Sequence, residues 1–235
     1  MNPIIITNKG QRDINQDYVL AQNINSDTLL LIVSDGMGGY DHGEIAAKLA
    51  AENVLAYLST ISEINPDQLQ KAINKSNLAI RQLKQEKKTD AGATVGGVVI
   101  SKNNAICFWV GDVKIFHLRN NKIHFESSSH TLINEVKNNG SITDTNRLRK
   151  YRHIVTRSVQ GEIKDSQVET KIIADLSEKD IFIICSDGVH DIIDGLSLQY
   201  LIRSSGDAKK ATGKIEERLK DEAKDNYSMI VVQCI

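Results

Sequence analysis

The sequence contains few of the residues that build disulfide frameworks or zinc sites. Its 235 residues include only three cysteines, Cys107, Cys185 and Cys234, and no two of them form a C-x-x-C pair. Each lies in an apolar, strand-like run, so we expect buried free thiols. Free thiols are typical of a reducing compartment, and we therefore predict a cytoplasmic protein.

Long apolar runs and an excess of one charge are also missing. No apolar stretch approaches the roughly 18 residues needed to span a bilayer, and the N-terminus lacks the basic and then apolar segments of a signal peptide. The 29 Lys and Arg residues nearly balance the 30 Asp and Glu residues, which gives a net charge of -1. The composition thus gives no reason to expect a membrane or nucleic acid as a partner.

What remains is the composition of an ordinary soluble globular protein, with 40% apolar and 25% charged residues. No repeat, low-complexity tract or linker divides the chain, so we predict a single domain over residues 1–235. Apolar residues at spacings of three and four predict helices over 43–60 and 65–88, and two more helices are expected near 191–203 and 208–223. Asn65 and Pro66 are suited to cap and open the second of these helices.

Short apolar runs separated by turn residues predict strands in the rest of the chain. Runs over 94–125 are separated by Asn103-Asn104, Gly111-Asp112 and Asn120-Asn121, which favours an antiparallel meander. We predict further strands near 4–7, 18–22, 28–33, 153–159, 167–173, 181–185 and 229–234, and a flap-like surface segment over about 127–150. Helices on either side of antiparallel strands indicate an α+β fold with two packed sheets and helices outside.

Two of the apolar runs lead into an acidic residue followed by glycine. Asp35-Gly36 follows the run 29–33, and Asp187-Gly188 follows the run 181–185. Asp17 and Asp225 are two further acids beside apolar runs. Acidic side chains that strand ends deliver onto glycine turns indicate a site for hard cations. The alternative for Asp35 and Asp187 is a turn-forming aspartate before glycine.

These acids belong to motifs that follow one another along nearly the whole chain. In order and spacing, the motifs resemble the metal-dependent serine/threonine protein phosphatases of type 2C, in their compact bacterial form. The resemblance implies a four-layer α-β-β-α sandwich that hydrolyses phosphoserine and phosphothreonine in proteins. The matching stretches are residues 12–17, Asp35-Gly36-Met37-Gly38-Gly39 with Gly43, Gly92-Ala93-Thr94, Val110-Gly111-Asp112, 156–161, Ser186-Asp187-Gly188 and Asp225-Asn226.

The resemblance also implies a metal site. Asp35 would bridge two Mn²⁺ or Mg²⁺ ions, Asp187 and Asp225 would complete the ligands of one ion, and the Gly36 carbonyl would bind the other. A hydroxide bridging the two ions would then attack phosphorus. Catalysis is thereby assigned to Asp35, Asp187 and Asp225.

Three further residues match the family's motifs. Arg12 would bind the substrate phosphate through its bidentate guanidinium group, and its alternative is a surface ion pair with Asp13 or a neighbour. Asp17 would hold metal-bound waters in the outer shell. Asp112 would help to bind a third ion, and its alternative is a hairpin-turn aspartate.

Several positions depart from the family's pattern. Met37 stands where some relatives carry a histidine that is proposed to protonate the leaving alkoxide, and a thioether cannot donate a proton. His42 lies nearby but is expected to be a turn or surface residue. The remaining histidines that we considered lack metal-ligand spacing and are expected to be structural, namely His117, His124, His153 and His190.

The departures at Ala93, Val113 and Ser129 leave a second hypothesis open, a regulatory binding module that keeps the fold with little or no turnover. In the leading hypothesis the partners are a phosphorylated protein substrate and an opposing bacterial serine/threonine kinase. A phosphorylated anti-sigma-factor antagonist or a secretion-system component is an alternative substrate. We expect a monomer.

Overall fold

A computed structural model describes residues 1–37, 42–138, 151, 153–164 and 166–234. Within these residues the strands are β1 (Ile4–Asn8), β2 (Asp17–Asn25), β3 (Thr28–Gly36), β4 (Ala93–Ser101), β5 (Asn104–Val110), β6 (Lys114–Arg119), β7 (Lys122–Glu126), β8 (Glu169–Ile173), β9 (Ile181–Cys185) and β10 (Tyr227–Gln233). The helices are α1 (Gly43–Leu58), α2 (Pro66–Lys87), α3 (Leu132–Asn138), α4 (Asp187–His190), α5 (Gly195–Ser205) and α6 (Ala208–Glu222).

The strands form two five-stranded sheets in which all neighbours are antiparallel. The first sheet has the order β1-β10-β9-β6-β7 and the second the order β2-β3-β4-β5-β8. Side chains of β3 alternate between two cores: Leu31 and Val33 face the other sheet, whereas Leu30 and Ile32 face the helices. This two-sided burial explains why the strand reads as a continuous apolar run.

Helices cover the outer face of each sheet. α1 and α2 pack on the second sheet, and α5 and α6 pack on the first. The side chain of Asn65 accepts a hydrogen bond from the backbone nitrogen of Gln68 at 3.0 Å, as a helix cap does. The buried stripe of α2 has the predicted spacings of three and four and includes Leu69, Ala72, Ile73, Ser76, Ile80 and Leu83. The four-layer α-β-β-α prediction is therefore confirmed. The three cysteines are free and buried, also as predicted.

The predicted meander is wrong at Gly111-Asp112. β5 pairs with β4 and β8 of one sheet, whereas β6 pairs with β7 and β9 of the other, so the chain changes sheets between them. Gly111 has a φ of +109°, and a Cβ there would overlap Thr94, so this crossing requires glycine. The hairpin at Asn120-Asn121 is confirmed, with both residues in the left-handed region that such tight turns need.

Three other expectations changed. Instead of a strand over 153–159, the described residues form isolated bridges at Val155 and Val159. The predicted helix near 191–203 begins only at Gly195, because Asp194 caps α5 by accepting a hydrogen bond from the backbone nitrogen of Ser197 at 2.8 Å. In the segment predicted as a flap, His130 is buried and α3 follows, while 139–150 lie outside the described residues. None of the described helices is both long and apolar enough to span a membrane.

Candidate metal centre

The sheets deliver acidic side chains to one rim of the sandwich. Asp17 opens β2 and lies directly opposite Asp35, which is near the end of β3. Asp187 follows β9 and Asp225 precedes β10, and these two strands are neighbours in the first sheet. Gly188 lies against the backbone of Asn226, where a Cβ would overlap the carbonyl oxygen, so the Asp187 and Asp225 segments are in close contact.

Two adjoining cavities open at this rim. The first measures about 300 Å³ and is lined by Arg12, Asp35, Gly36, Asp187 and Asp225 among others. Five of the predicted site residues therefore meet at a single cavity.

The second cavity, of about 160 Å³, shares Asp35 and Asp187 with the first and adds Asp112 to its wall. The remaining lining residues of the second cavity are Met37, Thr94, His153 and Val155. Acids from four distant parts of the sequence are thus brought together.

Asp17 joins the two sheets beneath these cavities. Its Oδ2 accepts a hydrogen bond from Ser186 Oγ at 2.9 Å, and Ser186 Oγ accepts one from the backbone nitrogen of Ser228 at 3.0 Å. The other carboxylate oxygen, Oδ1, is buried without a hydrogen-bond partner among the described residues. Burial raises the pKa of Asp17 to about 7, against the hydrogen bonds from Ser228 and Ser186, which lower it.

The other acids at the rim are perturbed in the same direction. Burial raises the pKa of Asp112 to about 7 and that of Asp187 to about 6, and in both cases nearby carboxylates add to the effect. Asp35 lines both cavities. Burial, followed by the charges of Asp17 and Asp187, raises its pKa well above the ordinary value. The carboxylates of these residues therefore repel one another when they are ionised.

These residues fit divalent cations. Carboxylate and carbonyl oxygens are the donors that Mg²⁺ and Mn²⁺ prefer, and a cation would relieve both the mutual repulsion and the unpaired oxygen of Asp17. Within the described ranges, no three His, Cys, Asp or Glu side chains are already gathered as a ready-made ligand cluster. The fit therefore rests on the donor chemistry and on the buried, unpaired carboxylate.

Arg12 stands at the mouth of the first cavity. Its Nη2 lies 2.8 Å from Asp225 Oδ2, with side chains that are 58% and 45% exposed. The hydrogen bond to Asp225 raises the pKa of Arg12. The ion pair that we considered as an alternative thus exists, but its partner is an acid of the site. Because an exposed pair of this kind contributes little to stability, the guanidinium can turn to an anionic ligand at small cost.

Asn226 holds the Arg12 segment in place, a role that the sequence analysis missed. Its Oδ1 accepts a hydrogen bond from the backbone nitrogen of Gln16, and its Nδ2 donates to the carbonyl oxygens of Lys9 and Ile14, each at 2.9 Å. The only signal in the sequence was its place in the Asp225-Asn226 motif. These three bonds tie the segments that carry Arg12 and Asp225 together.

The Gly111-Asp112 crossing is held by two histidines, His130 and His190. His130 accepts a hydrogen bond from the Gly111 nitrogen through Nδ1 at 2.9 Å and donates its backbone N–H to the Gly111 oxygen at 2.8 Å. His190 donates from Nε2 to the Asp112 oxygen at 3.0 Å. Both are therefore packed residues, as expected for His190, and they fix the position of Asp112. The hairpin-turn alternative for Asp112 is wrong, since no hairpin forms there.

His153, which we expected to be a packed or exposed structural residue, lies at the wall of the second cavity. Its side chain lines the second cavity, and its Nδ1 lies 3.4 Å from Asp191 Oδ2. Met37 lies on the wall of the same cavity, where its sulfur accepts a hydrogen bond from Gln160. No residue spacing pointed to His153, because most of its neighbours in the cavity come from other parts of the chain.

Comparison with known proteins agrees with this arrangement. The family model described as "Protein phosphatase 2C" matches residues 8–223. The chain belongs to the protein phosphatase 2C family. It is 28% identical over 208 residues to the protein phosphatase PhpP of Streptococcus pneumoniae, covering 85% of this chain and 83% of that protein.

Two solved structures share the fold of this 2C-family protein. The serine/threonine phosphatase of S. agalactiae superposes with a TM-score of 0.88 at 24% identity, covering 100% of this chain and 99% of the other. The catalytic domain of the serine threonine protein phosphatase PstP, in complex with two manganese ions, gives a TM-score of 0.79 at 22% identity, with 99% and 97% covered.

Proposed function

We propose that this 2C-family protein removes phosphate from phosphoserine and phosphothreonine in proteins and that it depends on divalent cations. One observation carries the proposal: Asp35, Asp187 and Asp225 line one cavity together with Arg12. Carboxylates that can hold cations, beside a guanidinium that can hold phosphate, are the combination that phosphate-ester hydrolysis needs.

Asp35, Asp187, Asp225 and Gly36 would hold two Mn²⁺ or Mg²⁺ ions, as the manganese-bound relative also suggests. Bound there, the ions would make water a better nucleophile at neutral pH and offset negative charge on the phosphoryl group. Asp112 lies in the adjoining cavity and would help to hold a third ion.

The protein's own side chains have separate tasks in this scheme. Arg12 binds two phosphoryl oxygens through its planar fork and so orients the phosphorus atom. Asp17, fixed by Ser186, orients water beside the cations from the outer shell. Asn226 holds Arg12 close to Asp225 through its hydrogen bonds to the Arg12 segment.

The partner and the compartment belong to the proposal as well. We infer a cytoplasmic monomer that acts on phosphorylated proteins and opposes a serine/threonine kinase. The regulatory-module alternative is less well supported, because a scaffold without turnover has no use for carboxylates that repel one another at a cavity.

The test is hydrolysis of para-nitrophenyl phosphate and of a phosphothreonine peptide, with Mn²⁺ and with excess EDTA. We expect activity that requires Mn²⁺ and that falls by at least about 10²-fold in Asp35→Asn. Asp27→Asn, which changes an exposed acid in the β2–β3 turn, serves as the control and should match the wild type. Activity without metal, or no activity with it, would refute the proposal.

A further inference from the structure

In the wall of the second cavity, Met37 stands where some relatives carry a histidine that is proposed to donate a proton. The same wall contains a histidine from elsewhere in the chain, His153. His153 lines this cavity together with Asp35, Asp112 and Asp187, and its side chain is 52% exposed. Histidine is the side chain that enzymes use most often for proton transfer. His153 therefore lines the cavity that shares Asp35 and Asp187 with the cavity of Arg12.

Asp191 orients the imidazole of His153. Its Oδ2 lies 3.4 Å from His153 Nδ1. Asp191 is one helical turn beyond Asp187, and its backbone nitrogen donates to the Asp187 oxygen at 2.9 Å, so the two side chains project from the same side of that turn. A carboxylate at Nδ1 fixes the ring and leaves Nε2 on its opposite side.

The neighbouring His190 does not compete for the same oxygen. Its Nε2 donates to the Asp112 carbonyl at 3.0 Å, and its Nδ1 lies 3.8 Å from Asp191 Oδ1, which is too long for a hydrogen bond. The closer approach to Asp191 is that of His153, at the other carboxylate oxygen. The two histidines thus have different tasks: His190 fixes Asp112, and His153 faces the cavity.

We propose that His153, positioned by Asp191, is the general acid that protonates the leaving serine or threonine oxygen. The inference rests on the proposed function. As the P–O bond breaks, its electron pair stays on the side-chain oxygen, which takes the proton from His153 Nε2. The water that supplies the new oxygen on phosphorus returns one proton to the imidazole, so the products are the free hydroxyl and hydrogen phosphate.

The experiment compares two leaving groups in the Mn²⁺-loaded enzyme. A serine alkoxide needs a proton as it leaves, whereas para-nitrophenolate is a stable anion that does not. For His153→Gln we expect kcat/KM on a phosphoserine peptide to fall by about 10²-fold or more, and on para-nitrophenyl phosphate by far less. Asp191→Asn should show the same split in weaker form. His124→Gln, an exposed histidine on β7, is the matched control.

A second measurement does not depend on turnover. In a crystal of the Asp35→Asn variant with a phosphoserine peptide, the serine Oγ should lie about 2.6–3.2 Å from His153 Nε2. Equal losses on both substrates, no loss on either, or an ester oxygen far from His153 would overturn the inference while leaving the proposed function intact. A wild type inactive on both substrates would overturn the proposed function and this inference with it.

Discussion

Replacing Asp112 by asparagine is expected to stabilise the metal-free protein at alkaline pH. Asp112 is only 7% exposed, and burial, followed by the charge of Asp187, raises its pKa from 3.8 to about 7. Because the folded-state pKa is the higher one, the folded protein binds more protons than the unfolded chain between these values. The free energy of unfolding therefore falls as pH rises from about 4 to 7, and above that range the full destabilisation is present.

The magnitude follows from the same shift. A rise from 3.8 to about 7 corresponds to at most about 4 kcal/mol, and relaxation around the site reduces this, so we expect a gain of about 1–3 kcal/mol. The bonds that His190 and Ser129 make to this residue go to its backbone oxygen and survive the substitution. The gain should therefore come from the removed charge.

Urea unfolding in EDTA at pH 4 and pH 8 measures the effect. The Asp112→Asn variant should exceed the wild type at pH 8 and nearly match it at pH 4, whereas the exposed control Asp27→Asn should match the wild type at both. An equal difference at the two pH values would point to packing as the cause. A variant no more stable than the wild type at pH 8 would refute the reasoning about buried charge.

Three further outcomes are expected. Arg12→Lys keeps the charge but loses the bidentate fork, so kcat/KM should fall by about 10- to 100-fold while calorimetric Mn²⁺ binding stays unchanged; equal activity would contradict phosphate binding by Arg12. Asn226→Ala removes three hydrogen bonds at a buried position and should lower the free energy of unfolding by about 2–3 kcal/mol, as measured by urea unfolding. Mn²⁺ at about 100 times its Kd should stabilise the wild type by about 2.7 kcal/mol, and thermal unfolding should show most of that gain lost in Asp35→Asn.

The layers of the fold and the acids of the site were predictable because their signals are local. The stripe of α2 and the two-sided run of β3 each fit within one element, and an aspartate before glycine at a strand end needs no distant partner to be recognised. The sheet change at Gly111-Asp112 was missed because the same two residues suit a hairpin and a crossing. Only the pairing of β6 with β9, far along the chain, decides between them.

His153 and Asn226 were missed for a related reason. Asn226 acts through a backbone nitrogen 210 positions away, and His153 acquires its surroundings from Asp35, Asp112 and Asp187. Neither contact produces a periodic pattern in the sequence. Residues that hold a site together from a distance are therefore harder to predict than the ligands that they position.

The carboxylates of the acidic rim both destabilise the metal-free fold and provide the oxygens that would bind cations. Burial and mutual repulsion raise the pKa values of Asp17, Asp35, Asp112 and Asp187, so the metal-free fold is less stable with these groups ionised than it would be with neutral ones. Cations that bind only the folded state offset this destabilisation and raise the free energy of unfolding. A substitution that neutralises one acid should therefore stabilise the metal-free protein and weaken metal binding together, because both effects follow from removing one charge.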